Sequence, residues 1–205
     1  MSALKDTYIT PEQYLEIERQ AEFKSEYFAG RMFAMAGGSL AHSTISINLS
    51  GMFWSQLRKK TCQAFNSDMK VCVNATGLYT YPDISVVCGE VRYFDGHRDM
   101  IENPLVIVEV LSPTTEGYDR GEKFAHYQEV PSLAEYLLVS QEAMRIEHYV
   151  RQDDNQWLLS NHFGPDAVVK IASIDCDLPL AEVYERVEVS PEKNAPILRM
   201  VYEKH

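Results

Sequence analysis

The sequence predicts an α/β domain with a central mixed β-sheet flanked by helices. Three observations carry that expectation. Helical segments with an apolar face come early in the chain. Apolar runs of strand length follow. A further helical segment then separates two of those runs, as a crossover connection does. At 205 residues the chain is long enough for one sizeable core and short for two. Residues 1–205 are therefore expected to form one domain, with 187–205 as a C-terminal extension.

The elements follow in order. Thr10-Pro11-Glu12-Gln13 starts a helix: Thr10 can cap, Pro11 suits the first helical position, and Gln13 completes a capping box. That helix is expected to run to about Arg19. Residues 26–35 read as a hairpin turning near Gly30, ended by Gly37-Gly38. A second helix is expected over 39–58, because Ile45, Leu49, Met52, Phe53 and Leu57 recur every three or four residues; His42 falls on the same face. Strands are expected at 63–65 and 70–74, then at 81–87 and 104–111, with polar residues 90–103 as an exposed loop between the last two. Residues 116–129 read as one helix, ended by Pro131, and 136–139 as a short strand. Residues 145–150 and 156–163 flank a polar turn and predict an antiparallel hairpin. Residues 167–171 add a strand, 180–186 a short helix, and 197–202 the last apolar run of the tail.

Composition narrows the class. With 45% hydrophobic and 24% charged residues, and no repeat or low-complexity tract, the chain reads as a folded globular protein. The N-terminus lacks an apolar core of signal-peptide length, and no apolar run approaches a membrane span. Cys62, Cys72, Cys88 and Cys176 form no C-x-x-C pair, which disfavours zinc. Cys72 and Cys88 lie in apolar runs and read as buried thiols, so a reduced, cytoplasmic protein is expected. The net charge of −11 counts against generic nucleic-acid binding, which leaves a basic footprint. It is compatible with a metal site built from carboxylates and a local basic strip such as Arg58-Lys59-Lys60 or Arg92 with Arg98, although each of these taken alone reads as solvated surface charge.

Two acids carry the chemistry. Asp83 opens the run Ile84-Ser85-Val86-Val87, and Glu109 lies within Leu105-Val106-Ile107-Val108-Glu109-Val110-Leu111. A carboxylate inside an apolar strand costs free energy unless it is paired or binds a metal. Two of them, followed by a helix with Lys123, suggest a divalent-metal site. Asp119, Lys123 and Tyr127 recur every four residues and share a helix face; on spacing alone they read as an exposed Asp119–Lys123 pair. Taken singly, His42 reads as a packed or capping residue, Glu26 as surface, and Asp68 as a turn former. The chain has no phosphate-binding P-loop and no G-x-S-x-G elbow.

Tyr81-Pro82-Asp83, Asn103-Pro104, Glu109-Val110-Leu111-Ser112-Pro113-Thr114-Thr115 and Tyr118-Asp119-Arg120-Gly121-Glu122-Lys123-Phe124 occur in this order, with Glu26-Tyr27, Gly30, Met35, Gly37, His42 and Asp68 before them, and Tyr127, Pro131, Glu135-Tyr136 and Trp157 around or after them. The set resembles the Uma-type "putative restriction endonuclease" family of the PD-(D/E)xK nuclease superfamily, over roughly residues 10–185. The resemblance implies the restriction-endonuclease-like fold. It implies that Asp83 and Glu109, with the main-chain carbonyl of Val110, hold Mg²⁺ or Mn²⁺, and that Glu26 extends the acidic cluster. The superfamily pattern places a lysine where Leu111 stands, so the resemblance points to Lys123 on the next helix as its replacement. His42, Asp68 and Tyr127 take supporting positions.

The function so implied is metal-dependent hydrolysis of DNA phosphodiester bonds by a cytoplasmic endonuclease, as a homodimer and away from membranes. One rival is a catalytically inactive protein on the same fold that binds DNA or protein, which the acidic charge favours. Another is a metal-dependent hydrolase of a different phosphoester.

Overall fold

A computed structural model describes residues 8–189. The N-terminal capping box forms as expected: Thr10 Oγ1 accepts from Gln13 N–H, the Gln13 side chain accepts from Thr10 N–H, and α1 spans Pro11–Glu18. The hairpin follows as β1 (Ser25–Phe28) and β2 (Arg31–Ala34). Its two-residue turn holds Ala29 and Gly30 at φ of 49° and 84°, the left-handed pair that matches the twist of a tight hairpin. Helix α2 (Leu40–Leu57) is capped by Ser39 and buries Ile45, Leu49, Phe53 and Leu57, the face the spacing predicts.

Strands β3 (Cys62–Asn66), β4 (Lys70–Val73), β5 (Leu78–Thr80), β6 (Ile84–Cys88), β7 (Met100–Ile101) and β8 (Val106–Leu111) come next. After β8 the chain forms α3 (Glu116–Arg120), α4 (Glu122–Gln128), β9 (Glu135–Ser140), β10 (Arg145–Arg151) and β11 (Trp157–Phe163). Strands β12 (Val168–Ile171) and β13 (Cys176–Pro179) and helix α5 (Leu180–Val183) close the described part.

The expected α/β architecture of mixed sheet flanked by helices is present, divided over two large sheets. One has the order β2-β1-β5-β4-β7 and the other β11-β10-β9-β8-β6-β3, with β12-β13 as a small third sheet. Each large sheet is mixed: β4–β7 and β8–β9 are parallel and the other pairs antiparallel. The six-stranded sheet is covered on both faces, which is why β8 and β9 read as near-continuous aliphatic runs. On one face, Val106, Val108 and Val110 pack with α2, α5 and the small sheet. On the other, Ile107 and Leu111 pack with Phe124, Tyr127 and Tyr136.

Five expectations are corrected. The 81–87 run is not one strand, because Tyr81-Pro82-Asp83 bridges from β5 in one sheet to β6 in the other. Residues 90–103 are not wholly an exposed loop: Met100 and Ile101 form β7, fully buried beside β4, through a pairing across about thirty positions that no local pattern announces. The 116–129 helix breaks at Gly121, whose φ and ψ of −110° and −96° leave the helical region. A strand at β13 was not foreseen. Cys62 and Cys88 stand opposite each other in the antiparallel β3–β6 pair and form a disulfide, so Cys88 is not a free buried thiol. Cys72 is one, and burial pushes its thiol up to about 12. The tail run at 197–202 lies outside the described residues, although Val187 and Val189 already pack on the core. Among the described residues no helix is long and apolar enough to cross a membrane.

Candidate active site

Alternation along β8 sends Glu109 to the same side as Ile107 and Leu111, the face covered by α4. Lys123 and Tyr127, one helical turn apart on α4, both point back at it. Lys123 Nζ lies 2.9 Å from Glu109 Oε1, and the Tyr127 hydroxyl donates to the same oxygen at 2.8 Å. The break at Gly121 gives α4 its own direction, while α3 is tied down separately. Arg120 pairs with Glu147 at 2.9 Å, and the Tyr136 hydroxyl donates to the Asp119 carbonyl at 3.0 Å.

Asp83 enters from the bridge between the sheets. Its Oδ2 accepts the Val110 N–H at 2.7 Å, and its Oδ1 lies 3.1 Å from His42 Nε2, in the first turn of α2. The Asp83 N–H donates to Glu109 Oε2 at 3.4 Å, which sets the two acids side by side. Glu26 reaches the same place from β1. Tyr27 turns into the core beneath the five-stranded sheet, so its neighbour Glu26 faces the other way. Glu26 Oε1 lies 3.2 Å from Lys123 Nζ and also accepts from the Thr80 hydroxyl and, at 3.5 Å, from the Tyr81 N–H.

The cluster is largely out of water. The Glu109 and Lys123 side chains are 6% and 7% exposed, whereas Asp83, Glu26 and His42 form a partly open rim. Burial pushes the Glu109 carboxyl up to about 8. The Lys123 ammonium pulls against this, and the Asp119 and Asp83 charges add to it. Burial works to lower Lys123, but Glu109, Glu26 and Asp119 outweigh it and hold the ammonium well above its ordinary value. Asp119 is raised by burial, with Lys123 opposing. The hydrogen bond to Asp83 raises His42, against the effect of burial.

Asp83, Glu109, Glu26, Lys123, Tyr127 and His42 thus converge, and Val110 joins them through its N–H. Asp68 does not: it sits in the turn after β3, paired to Lys24 and bonded to Asn66, as a turn former does. The exposed Asp119–Lys123 pair expected from spacing is instead buried, with 3.7 Å between Asp119 Oδ1 and Lys123 Nζ. Asp119 is a member of the cluster that sequence reasoning set aside, although its position four residues before Lys123 was the available signal. Thr80 was not foreseen and carries no sequence signal of its own.

The expected divalent ion calls for hard oxygen donors within reach of one another. Among the described residues no three His, Cys, Asp or Glu side chains are arranged to enclose a metal. Magnesium, however, keeps several waters and is commonly held by one or two carboxylates. Asp83 and Glu109 supply two adjacent hard-oxygen groups, and among the described residues Glu109 Oε2 is held only by the long bond from the Asp83 N–H. Four carboxylates face one lysine and one histidine here. These residues fit such an ion.

The chain is similar to known proteins along most of its length. The sequence model of the family described as "Uma2: Putative restriction endonuclease" matches residues 11–181, and the chain belongs to that family. Two relatives from Synechocystis sp. (strain ATCC 27184 / PCC 6803 / Kazusa) are named as uncharacterized proteins. With slr1290 the chain is 40% identical over 181 residues, covering 86% of this chain and 91% of the relative. With sll1609 it is 35% identical over 164 residues, covering 80% and 93%. A crystal structure described as "a putative nuclease belonging to DUF820" from Anabaena variabilis ATCC 29413 superposes with a TM-score of 0.71 at 20% identity, covering 86% of this chain and 97% of that one. The fold is therefore the restriction-endonuclease-like fold that the sequence led us to expect.

Proposed function

We propose that this member of the family is a divalent-metal-dependent endonuclease that hydrolyses phosphodiester bonds of DNA, with Asp83 and Glu109 as ligands of Mg²⁺ or Mn²⁺ and Lys123 as the catalytic cation. The observation that supports this most is the reach of Lys123. Leu111 occupies the expected lysine position, yet a lysine from α4 arrives 2.9 Å from Glu109 and 3.2 Å from Glu26. When bound, the metal ion supplies an activated water and neutralises charge on the phosphate.

The chain's own groups then have distinct tasks. The Val110 N–H and His42 fix the two oxygens of Asp83, so that carboxylate has one orientation. Lys123 ion-pairs with Glu109 at 2.9 Å and with Glu26 at 3.2 Å, while Asp119, at 3.7 Å, lies beyond hydrogen-bond length. An ammonium has three N–H donors, so in this reading Lys123 also serves a phosphate oxygen or the attacking water. Tyr127 holds Glu109 in place. His42, bonded to Asp83 at the rim, offers an imidazole on the side where a phosphate enters. The main-chain carbonyl of Val110 completes the ligand set. A homodimer, with one site for each strand, fits a double-strand cut.

The test is direct. Purified protein with Mg²⁺ or Mn²⁺ is expected to nick or cut plasmid DNA, and Asp83→Ala is expected to abolish this. Unchanged cutting by Asp83→Ala would remove Asp83 from the site. The inactive-module reading draws on the number of bonds already made to Glu109 Oε1. Calorimetry that detects no binding at millimolar Mg²⁺ or Mn²⁺ would favour it. Comparing DNA, RNA and small phosphodiesters as substrates separates the remaining rival.

A further inference from the structure

A groove of about 650 Å³ runs between α2 and β3 along the side of the six-stranded sheet. Its two walls diverge from the site just described. Helix α2 starts at the site, where His42 meets Asp83, and runs away from it to Leu57. Strand β3 returns antiparallel to β6, from Cys62 opposite Cys88 to Asn66 opposite Ile84, and Ile84 directly follows Asp83. The groove therefore leads from Asn66 and Ile84, the residue that follows Asp83 in the chain, out to Arg58. Strand β3 is the last in its sheet, so among the described residues one of its edges has no strand partner.

Three features of the lining call for an explanation. Trp54 is 66% exposed, although the apolar face of α2 is complete without it. The Arg58 guanidinium sits 5.5 Å from the centre of the Trp54 ring. Arg58 in the lining and Lys59 beside it in the chain, outside the lining, are exposed cations in a chain of net charge −11, whereas Lys60 is occupied by the Ile174 carbonyl and Asp175. An open indole, adjacent cations and a polar strand edge carrying Gln63 form a stacking platform with phosphate contacts, which is how single-stranded nucleic acid is held. A duplex keeps its base faces stacked and cannot offer them to an indole.

We propose that this groove holds a single-stranded stretch of nucleic acid leading to the cleavage site, with a base against Trp54 and phosphates on Arg58 and Lys59; the inference rests on the nuclease reading above. The five residues of β3 give the groove a length of about 16 Å, room for about three to five nucleotides. The site then prefers DNA that is already unpaired near the scissile bond, such as a flap, a bubble or a frayed end.

The experiment measures binding apart from cutting. Full-length Asp83→Asn protein is titrated, without divalent metal, into a fluorescein-labelled oligothymidylate and into a labelled duplex, with anisotropy as the readout. The single strand is expected to bind more tightly than the duplex. Trp54→Ala is expected to weaken it about tenfold or more, and Trp54→Phe to restore part of that loss. Arg58→Ala with Lys59→Ala is expected to reduce the slope of log affinity against log salt by about 1.4, and Lys170→Ala on exposed β12 to leave it unchanged. Equal affinity of the parent and Trp54→Ala would overturn the proposal. So would sedimentation in which Trp54→Ala dissociates a dimer while oligonucleotide binding stays constant, which would assign this face of α2, with Leu40 and Ile47, to self-association. Protein with Asp83 intact that binds through Trp54 but cuts nothing with Mg²⁺ or Mn²⁺ keeps the groove and removes the nuclease reading. Cutting that is indifferent to Trp54→Ala, with binding equally indifferent, removes the groove alone.

Discussion

Glu109 and Glu135 occupy neighbouring parallel strands of one sheet, both buried among aliphatic side chains, yet their surroundings differ in kind. Glu135 pairs in register with Val106 and faces α2 and the small sheet; Glu109 pairs with Leu138 and faces α4. The Glu135 carboxylate is bonded to His148 and accepts the Ser173 N–H at 2.7 Å. Burial acts to raise it, but those bonds win and hold it below its ordinary value. Glu109 has Lys123 and Tyr127, but also Asp83 and Asp119 as like-charged neighbours, and it is pushed up to about 8. One acid is satisfied by its own chain. The other has like charges beside its counter-ion, the electrostatic pattern that the proposed site needs. A carboxylate in an apolar strand is therefore not diagnostic by itself; the company it keeps is.

The largest test of this contrast is Lys123→Met. It leaves Glu109, Glu26 and Asp119 facing one another without their counter-ion, and is expected to lower stability by about 3–5 kcal/mol in urea unfolding as well as to end cutting. A stability equal to the parent would mean that Lys123 does not offset the carboxylates around it, and the contrast is false. Glu135→Gln should cost about 2–3 kcal/mol, because a buried pair is broken, while DNA cutting per folded molecule stays as in the parent. Lost cutting there would make both acids functional. Tyr127→Phe removes one bond to Glu109 and is expected to cost about 1–2 kcal/mol by the same unfolding measurement.

The last test is pH. Glu109 is raised in the folded state, so its contribution to stability is complete below about 4.5 and is lost as pH rises through about 8. Glu135 is lowered, so its contribution is present above about 4.5 and is lost as pH falls through its folded value. In metal-free protein, Glu109→Gln should flatten the alkaline side of the stability profile and Glu135→Gln the acid side. Mg²⁺ affinity by calorimetry should rise up to about tenfold per pH unit below about 8 and level off above, because binding must displace one proton from Glu109.

Much of the fold was legible because it is local. The capping box at Thr10, the turn at Gly30 and the apolar face of α2 follow from neighbours within one turn or one hairpin. The hairpin of β10 and β11 was legible for the same reason, since its polar turn lies between two alternating runs. The buried β7 was not, because two residues flanked by polar ones acquire a strand only from a distant partner. The Cys62–Cys88 bond likewise depends on β3 and β6 lying side by side, a fact of register and not of spacing. For the site, Asp83 and Glu109 stood out by burial cost and by motif, and Lys123 by its place in the Asp-Arg-Gly-x-Lys run. Asp119 was read as exposed because a four-residue spacing is the same on a wet face and a buried one.

The sequence by itself determined most of the elements, the buried face of α2, and the family to which the acids belong. Those depend on side-chain type and short-range periodicity, which the chain states openly. Only the tertiary structure decided that a bridge between two sheets brings Asp83 against the Val110 N–H, and that α4, redirected at Gly121, carries Lys123 to Glu109 where Leu111 cannot serve. It also decided that Glu135 is satisfied while Glu109 is not. The reason is physical: a carboxylate's free energy is set by the charges and donors within a few ångströms, and in this chain those arrive from four separate elements.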